Sequence, residues 1–388
     1  MTPPFRSERS ANRRARPRAS VTPAAIALLA LLCAALPARA AVAEHLLFEG
    51  LGTGEGWQTD DDSVLLSRNQ GNPAADADVL LWQALQFRPD LHLFALEDLE
   101  GRTGTDAGAG ATLEMFQLRY SRRTSAPLTV EAGKVTMPIG LFPDRHFADT
   151  NPLIGSPASY DYDSEYPYGI VVNGRISKFD YLASVVSLPL RDGRAMPEAS
   201  HAPRPALGAG YTPFSGFRIG VYATRGPYLG RDVEDLLPAG TTWRDFGQEV
   251  EGFEVQLTRG YFVLNGEFAL SAYEVPAHGP GLHGRSWYLD GRYTLSPRLF
   301  TALRVEQSRY PFILPISPFF WVAAPVDLWD AEAGVGYRIA PTTLLKVTYR
   351  RDLWPVDESI KPYYPEGYAV AVQISHRFDV LSWFDRTP

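Results

Sequence analysis

The stretch Tyr368-Ala369-Val370-Ala371-Val372-Gln373-Ile374-Ser375-His376-Arg377-Phe378 decides how the chain is read. Tyr368, Val370, Val372, Ile374 and Phe378 fall on one face. Ala369, Ala371, Gln373, Ser375 and Arg377 fall on the other. Apolar residues at period two mark a strand with one face in an apolar environment. The pattern recurs upstream. Leu345, Val347 and Tyr349 alternate with Lys346, Thr348 and Arg350, and Val335, Tyr337 and Ile339 with Gly334, Gly336 and Arg338. Earlier still, Phe262, Leu264, Phe268 and Leu270 alternate with Val263, Asn265, Glu267 and Ala269.

A soluble sandwich alternates as well, so the links between strands carry the decision. Short turns are expected near 88–90, 122–126, 177–178, 213–214, 259–260, 296–298 and 340–342. Between them lie long links, near 68–77, 100–111, 137–166, 190–204, 225–247, 273–284, 310–327 and 353–366. Short turns on one side and long loops on the other are the pattern of an outer-membrane barrel. A sandwich has no reason to sort its loops in this way. The expected fold is an all-β transmembrane antiparallel barrel of about sixteen strands (14–18), running from near Ser63 to Phe378. Its two weakest strands are those near 62–67 and 205–212. Aromatic girdles are expected from Phe87, Tyr120, Tyr310, Phe312, Trp321, Tyr337, Trp354 and Tyr368.

The N-terminal stretch belongs to export. Arg13, Arg14, Arg16 and Arg18 precede an apolar run from Val21 to Leu36, and Pro37-Ala38-Arg39-Ala40 ends in a small-x-small site. A second site is Ala41-Val42-Ala43. Residues 1–43 therefore read as a cleaved signal peptide. The run falls short of the roughly 20 residues that a spanning helix needs. Residues 44–61 are a Gly-rich lead-in or an extra strand, 62–380 the barrel, and 381–388 a tail. The only cysteine, Cys33, lies in the leader, so the mature chain has neither disulfides nor thiolate metal ligands. The formal net charge is −7, and loss of the Arg-rich leader makes the remainder more acidic, which disfavours nucleic acid as a partner.

An enzyme reading lacks support. There is no nucleophile elbow, no zinc-type histidine spacing and no phosphate loop, and the seven histidines are scattered. Asp144 and His146 share a loop, but two ligands do not make a metal site. No catalytic residue, metal or cofactor is expected.

A pore has more behind it. With the apolar faces in lipid, the other faces line a lumen that carries Arg119, Arg175, Arg218, Arg292, Arg304, Arg338, Lys346 and Arg350. Opposed to them are Glu254, Glu267, Asp290, Glu306 and Glu332. Buried without water, so many charges would be costly, and a wide, hydrated barrel removes that cost. The link near 137–166 is the longest. It is expected to fold inward as a constriction, with Asp144, Arg145, Asp149, Asp161, Asp163 and Glu165 at the narrow point and its acids facing luminal arginines.

The leader, the strand number, the alternating links and the long third loop resemble the outer-membrane porins. Val130-Glu131-Ala132-Gly133-Lys134-Val135, then Pro138-Ile139-Gly140 and Asn151-Pro152-Leu153, are similar to the porin-like family that includes phosphate-selective porins. The resemblance implies an outer-membrane location, contact with membrane lipid, passive diffusion of small hydrophilic solutes or ions, and assembly as a homotrimer. Two features depart from it. Phe378 is followed by ten residues instead of ending the chain, and only four lysines are present, against the lysine clusters of phosphate-binding pores. The rival readings are a closed scaffold barrel plugged by residues 44–61 or by the third loop, an outer-membrane hydrolase, and a secreted soluble β protein. Mass analysis of the exported chain tests the leader: its N-terminus is expected at Ala41 or Glu44, and an intact Met1 terminus would refute cleavage.

Overall fold

The computed structural model describes residues 46–61, 63, 66–104, 107–122, 124–141, 143, 145–157, 166–187, 202–277, 281–355 and 365–383. The expected leader lies outside them. The strands are β1 (Leu46–Thr59), β2 (Ala74–Arg88), β3 (Leu91–Arg102), β4 (Gly108–Arg122), β5 (Leu128–Lys134), β6 (Tyr168–Ile176), β7 (Phe179–Val186) and β8 (Arg204–Phe214). They continue with β9 (Phe217–Pro227), β10 (Gly247–Arg259), β11 (Phe262–Tyr273), β12 (Leu282–Thr294), β13 (Leu299–Ser317), β14 (Phe320–Ala340), β15 (Thr343–Leu353) and β16 (Gly367–Asp379). Each pairs antiparallel with its sequence neighbours. β1 closes on β16, from Glu49 opposite Asp379 to Thr59 opposite Ala369.

The exterior is inverted relative to a soluble protein. Tyr368, Val370, Val372 and Ile374 of β16 are between 38% and 47% exposed, while Ala369, Ala371, Gln373 and Ser375 are at most 3% exposed. β15 repeats this, with Val347 and Tyr349 outside and Lys346 and Thr348 inside. An outer face of this apolar character is that of a barrel set in lipid, where closure leaves no unpaired edge. Phe87, Phe179, Phe214, Tyr261 and Tyr293 gather near the short-turn ends as one exposed aromatic band. Trp321 and Trp354, expected in a girdle, are instead buried.

Three boundaries correct the sequence reading. The barrel begins at Leu46, so the lead-in supplies β1, and the stretch near 62–67 belongs to the link between β1 and β2. β1 carries Gly50, Gly52, Gly54 and Gly56 where other strands carry outward apolar residues, which erased the alternation. At Gly50 any Cβ would run into the ring of Phe378, so the seam between first and last strand closes on a glycine–aromatic contact.

The second and third corrections concern the link expected at 310–327, which is paired strand at both its ends. β13 and β14 form one long hairpin with only 318–319 between them. β12 pairs β13 as far as Arg309, and β15 pairs β14 only from Trp329, so the distal hairpin has free outer edges. Prolines are tolerated on such edges, and Pro311 stands opposite Pro325. The 228–246 loop folds over this hairpin through two 3-10 turns, Arg231–Leu236 and Trp243–Asp245. Tyr228, Leu229, Val233, Leu237 and Trp243 pack with Tyr273, Ile313 and Trp321, whose indole N–H donates to the carbonyl of Leu236 at 3.0 Å.

The belt and the projecting hairpin respond differently to charge. Val372→Arg is expected to cost about 2–4 kcal/mol in reversible unfolding from phospholipid vesicles, the range for a cation near mid-bilayer. Ile316→Arg at the hairpin tip is expected to change stability by less than about 0.5 kcal/mol. Equal effects would show that no lipid belt lies where the strands place it.

Candidate functional site: the third loop inside the barrel

Between β5 and β6 the described residues of the link, 135–141, 143, 145–157 and 166–167, lie in the lumen instead of outside it. Its first limb lays Met137 and Ile139 on Ala206, Tyr222 and Val250 of β8–β10. Next, the Leu141 amide donates to the carboxylate of Glu267 at 3.1 Å, and Arg145 reaches Asp290 at 2.5 Å. Asp149 accepts two bonds from Arg377, at 2.6 and 2.9 Å. Between Arg145 and Asp149, Phe147 meets Trp82 edge-on at 5.1 Å, and beyond the turn Tyr166 packs with Leu96 and Met115. The Tyr166 hydroxyl lies 3.2 Å from His146 Nε2.

The deepest part is a tight turn, Asn151–Gly155. Asn151 closes it on itself, its amide donating to the Gly155 carbonyl at 3.0 Å and its oxygen accepting from Leu153 N–H at 3.2 Å. The wall supplies the rest. Lys346 donates to the carbonyls of Asn151 and Leu153 at 3.0 and 2.8 Å, and Arg304 to that of Gly155 at 2.7 Å. Glu332 accepts from the amides of Ile154 and Gly155 at 3.1 and 3.0 Å, and Arg350 donates to the carbonyl of Ser156 at 3.0 Å. A Cβ on Gly155 would lie 2.7 Å from Glu332 and 2.8 Å from Arg350, so the seat admits only glycine without a shift. Backbone groups taken out of water need partners, and here charged side chains provide them.

The register explains why these side chains converge. Asn265, Asp290, Arg304, Glu332 and Arg350 are successive cross-strand partners from β11 to β15. One step toward the long-loop end runs a second row: Glu254, Glu267, Tyr288, Glu306, Asp330 and Asp352. Arg350 bridges the two rows, with Nε 2.6 Å from Asp330.

The expected wall residues thus divide. Arg304, Lys346, Glu267, Asp290, Glu306 and Glu332 are buried, and each contacts the loop or one of its partners, Glu306 through Arg350 at 4.0 Å. They are packed side chains with little exposed surface. Arg119 pairs with Glu131 at 2.7 Å, and Arg218 lies between Asp180 and Glu254. Arg175, Arg292 and Arg338 sit toward the short-turn end: Arg175 donates to Ser177, Arg292 stacks on Phe300, and Arg338 donates to Pro341. In the loop, Asp149 does face an arginine, while Arg145 reverses the expected sense by reaching a wall carboxylate. Asp144, Asp161, Asp163 and Glu165 lie outside the described residues.

Sequence reasoning left out Asp180, Asn151 and Gly155. Asp180 was legible as the inward neighbour of outward Phe179. The two loop residues work through backbone geometry, which leaves no charge signal.

A cavity of about 690 Å³ remains under the first limb of the loop. It opens toward the short-turn end and is walled by β4 to β10, including Arg119, Glu131, Arg175, Asp180, Arg218 and Glu254.

No family model matches the sequence, and no curated protein matches it. Solved structures do match. OmpF of Salmonella typhi, in complex with daunomycin, aligns with a TM-score of 0.57 at 14% identity, over 86% of this chain and 97% of that one. OprB of Pseudomonas putida aligns at 0.56 and 10% identity, over 88% and 96%. Outer-membrane expressed OmpT of Vibrio cholerae aligns at 0.54 and 12% identity, over 86% and 97%. At such identities the likeness concerns architecture: the chain shares with these proteins the closed, antiparallel β-barrel fold.

Proposed function

We propose that the protein is an outer-membrane channel of porin type, which passes small hydrophilic solutes or ions through a lumen narrowed by its third loop. The carrying observation is that loop, held inside a sixteen-stranded, lipid-facing barrel by Arg304, Glu332, Lys346 and Arg350. A barrel of this strand number encloses more space than side chains fill. The loop reduces that space, and the cavity along β4–β10 is the hydrated remainder. The likeness to the porins OmpF and OprB supports the reading. Among the described residues there is no group of three or more metal-ligating side chains.

One observation favours a second reading. The loop touches β2–β4, β8–β10 and β11–β16, nearly the full circumference. A barrel so crossed could be closed and serve as a scaffold for a periplasmic or surface complex.

Planar-bilayer recording of the refolded mature protein separates the two. Discrete, steady conductance steps are expected. A heat-modifiable barrel that inserts and carries no current would favour the scaffold. Gly155→Val supplies the mechanistic arm. The added methyl groups collide with Glu332 and Arg350, so the turn leaves its seat and step conductance rises. Lys346→Met leaves two buried carbonyls without their donor and is expected to destabilise the fold by about 1–3 kcal/mol in urea titration. An unchanged step in Gly155→Val would show that the loop does not set the aperture.

A further inference from the structure

The cavity under the first limb has a charge pattern distinct from the loop's seat. Three cations, Arg119, Arg175 and Arg218, face three anions, Glu131, Asp180 and Glu254. The formal sum is zero, so neither an anion nor a cation gains from net charge. The charges are not evenly mixed, however. Arg119 and Glu131 neutralise each other at 2.7 Å. Arg218 is held by two carboxylates: Asp180 takes bonds from its Nη2 and Nε at 2.6 and 2.9 Å, and Glu254 takes its Nη1. That sector is left with one excess negative charge. Arg175 stands opposite Asp180 in the β6–β7 register, yet its Nε donates to the Ser177 carbonyl at 2.7 Å. No carboxylate pairs with it among the described residues, so this sector is left positive.

The wall is shaped to hold that arrangement flat. The Asp180–Arg218–Glu254 triad crosses β8 and β9 over Gly210 and Gly220. A Cβ on Gly210 would run into both Asp180 and Arg218, and one on Gly220 into Glu254. The two glycines let the triad lie against the sheet and leave the space above it open. Hydrogen-bonding groups of Thr129, Asn173 and Gln256 fill out the lining.

The geometry points to a binding subsite for small zwitterionic solutes, molecules with an ammonium and a carboxylate a few ångströms apart. The ammonium is received by the Asp180–Glu254 sector and the carboxylate by Arg175. This rests on the channel reading and names the solute class that such a channel favours.

Proteoliposome swelling tests it with four probes of similar size: alanine as zwitterion, lactate as its sodium salt, isopropylammonium as its chloride, and glycerol as neutral control. Alanine is expected to enter about threefold faster than lactate or isopropylammonium, the factor that one half-exposed ion pair supplies. Glu254→Gln is expected to remove that advantage and favour lactate. Arg175→Gln is expected to remove it and favour isopropylammonium. Heat-modifiable migration confirms that each variant is folded, and Arg175→Gln, at the exposed end of β6, keeps the test available should Glu254→Gln misfold. Entry ordered by size alone, or variants that keep the wild-type order, would overturn the subsite while leaving the channel intact. No swelling with any probe, glycerol included, would overturn the channel reading and the subsite with it.

Discussion

Backbone amides and carbonyls in hydrocarbon have no water to bond, and everything else in this molecule follows from that constraint. It requires that β1 find β16, because an open edge within the bilayer would leave a row of unpaired groups. The pairing from Glu49–Asp379 to Thr59–Ala369 meets the requirement. Closure then separates two solvents. The outer faces become apolar because lipid covers them, and the inner faces must be wetted or packed. The order of hydrophobicity is thereby reversed relative to a soluble protein, without any change in the strand period.

The same constraint returns inside the lumen. A loop that enters the barrel carries its own backbone out of bulk water. The wall strands answer with charged side chains from neighbouring cross-strand rows, among them Glu267, Arg304, Glu332, Lys346 and Arg350. Charges serve better than neutral groups here, because a charge-assisted bond is stronger and one carboxylate accepts two amides, as Glu332 does. Buried ion networks contribute little net stability, since desolvation offsets attraction. What Arg304, Glu332 and Lys346 contribute is position. They make one placement of Asn151–Gly155 satisfied and leave every displaced placement with unpaired groups.

The strand architecture was legible because it rests on composition at alternate positions, and β14 to β16 display it in full. Legibility failed where the physical signal lies elsewhere. β1 was hidden by its outward glycines, of which Gly50 serves the approach of Phe378. The β13–β14 hairpin was hidden by prolines that announce a loop, yet tolerate a strand whose outer edge is free. In the lumen, residue types were legible and roles were not. Arg304 and Arg218 read alike in sequence, as inward arginines on central strands. One ends on a loop carbonyl, the other between two wall carboxylates. The path of the third loop decides between them, and that path depends on contacts to strands as distant in sequence as β15. In the sequence Asn151-Pro152-Leu153 shows only a likeness to porin-like proteins. Its role is the clamped turn.

The division of the interior has a consequence for how such a barrel can vary. The sector from β11 to β15 is committed: its charges are consumed by the loop, and a change of sign there unseats a backbone. The sector from β4 to β10 is not. There the loop rests on the wall through apolar contacts of Met137 and Ile139, and the charges of Arg119, Arg175 and Arg218 interact only with the wall and the space they enclose. Substitution in that sector alters the field of the cavity without moving the loop. The loop's anchors and the open cavity thus occupy opposite arcs of one sheet. The separation follows from the loop's asymmetric course, which fixes its polar turn against one arc and spans the other with side chains that need no charged partner.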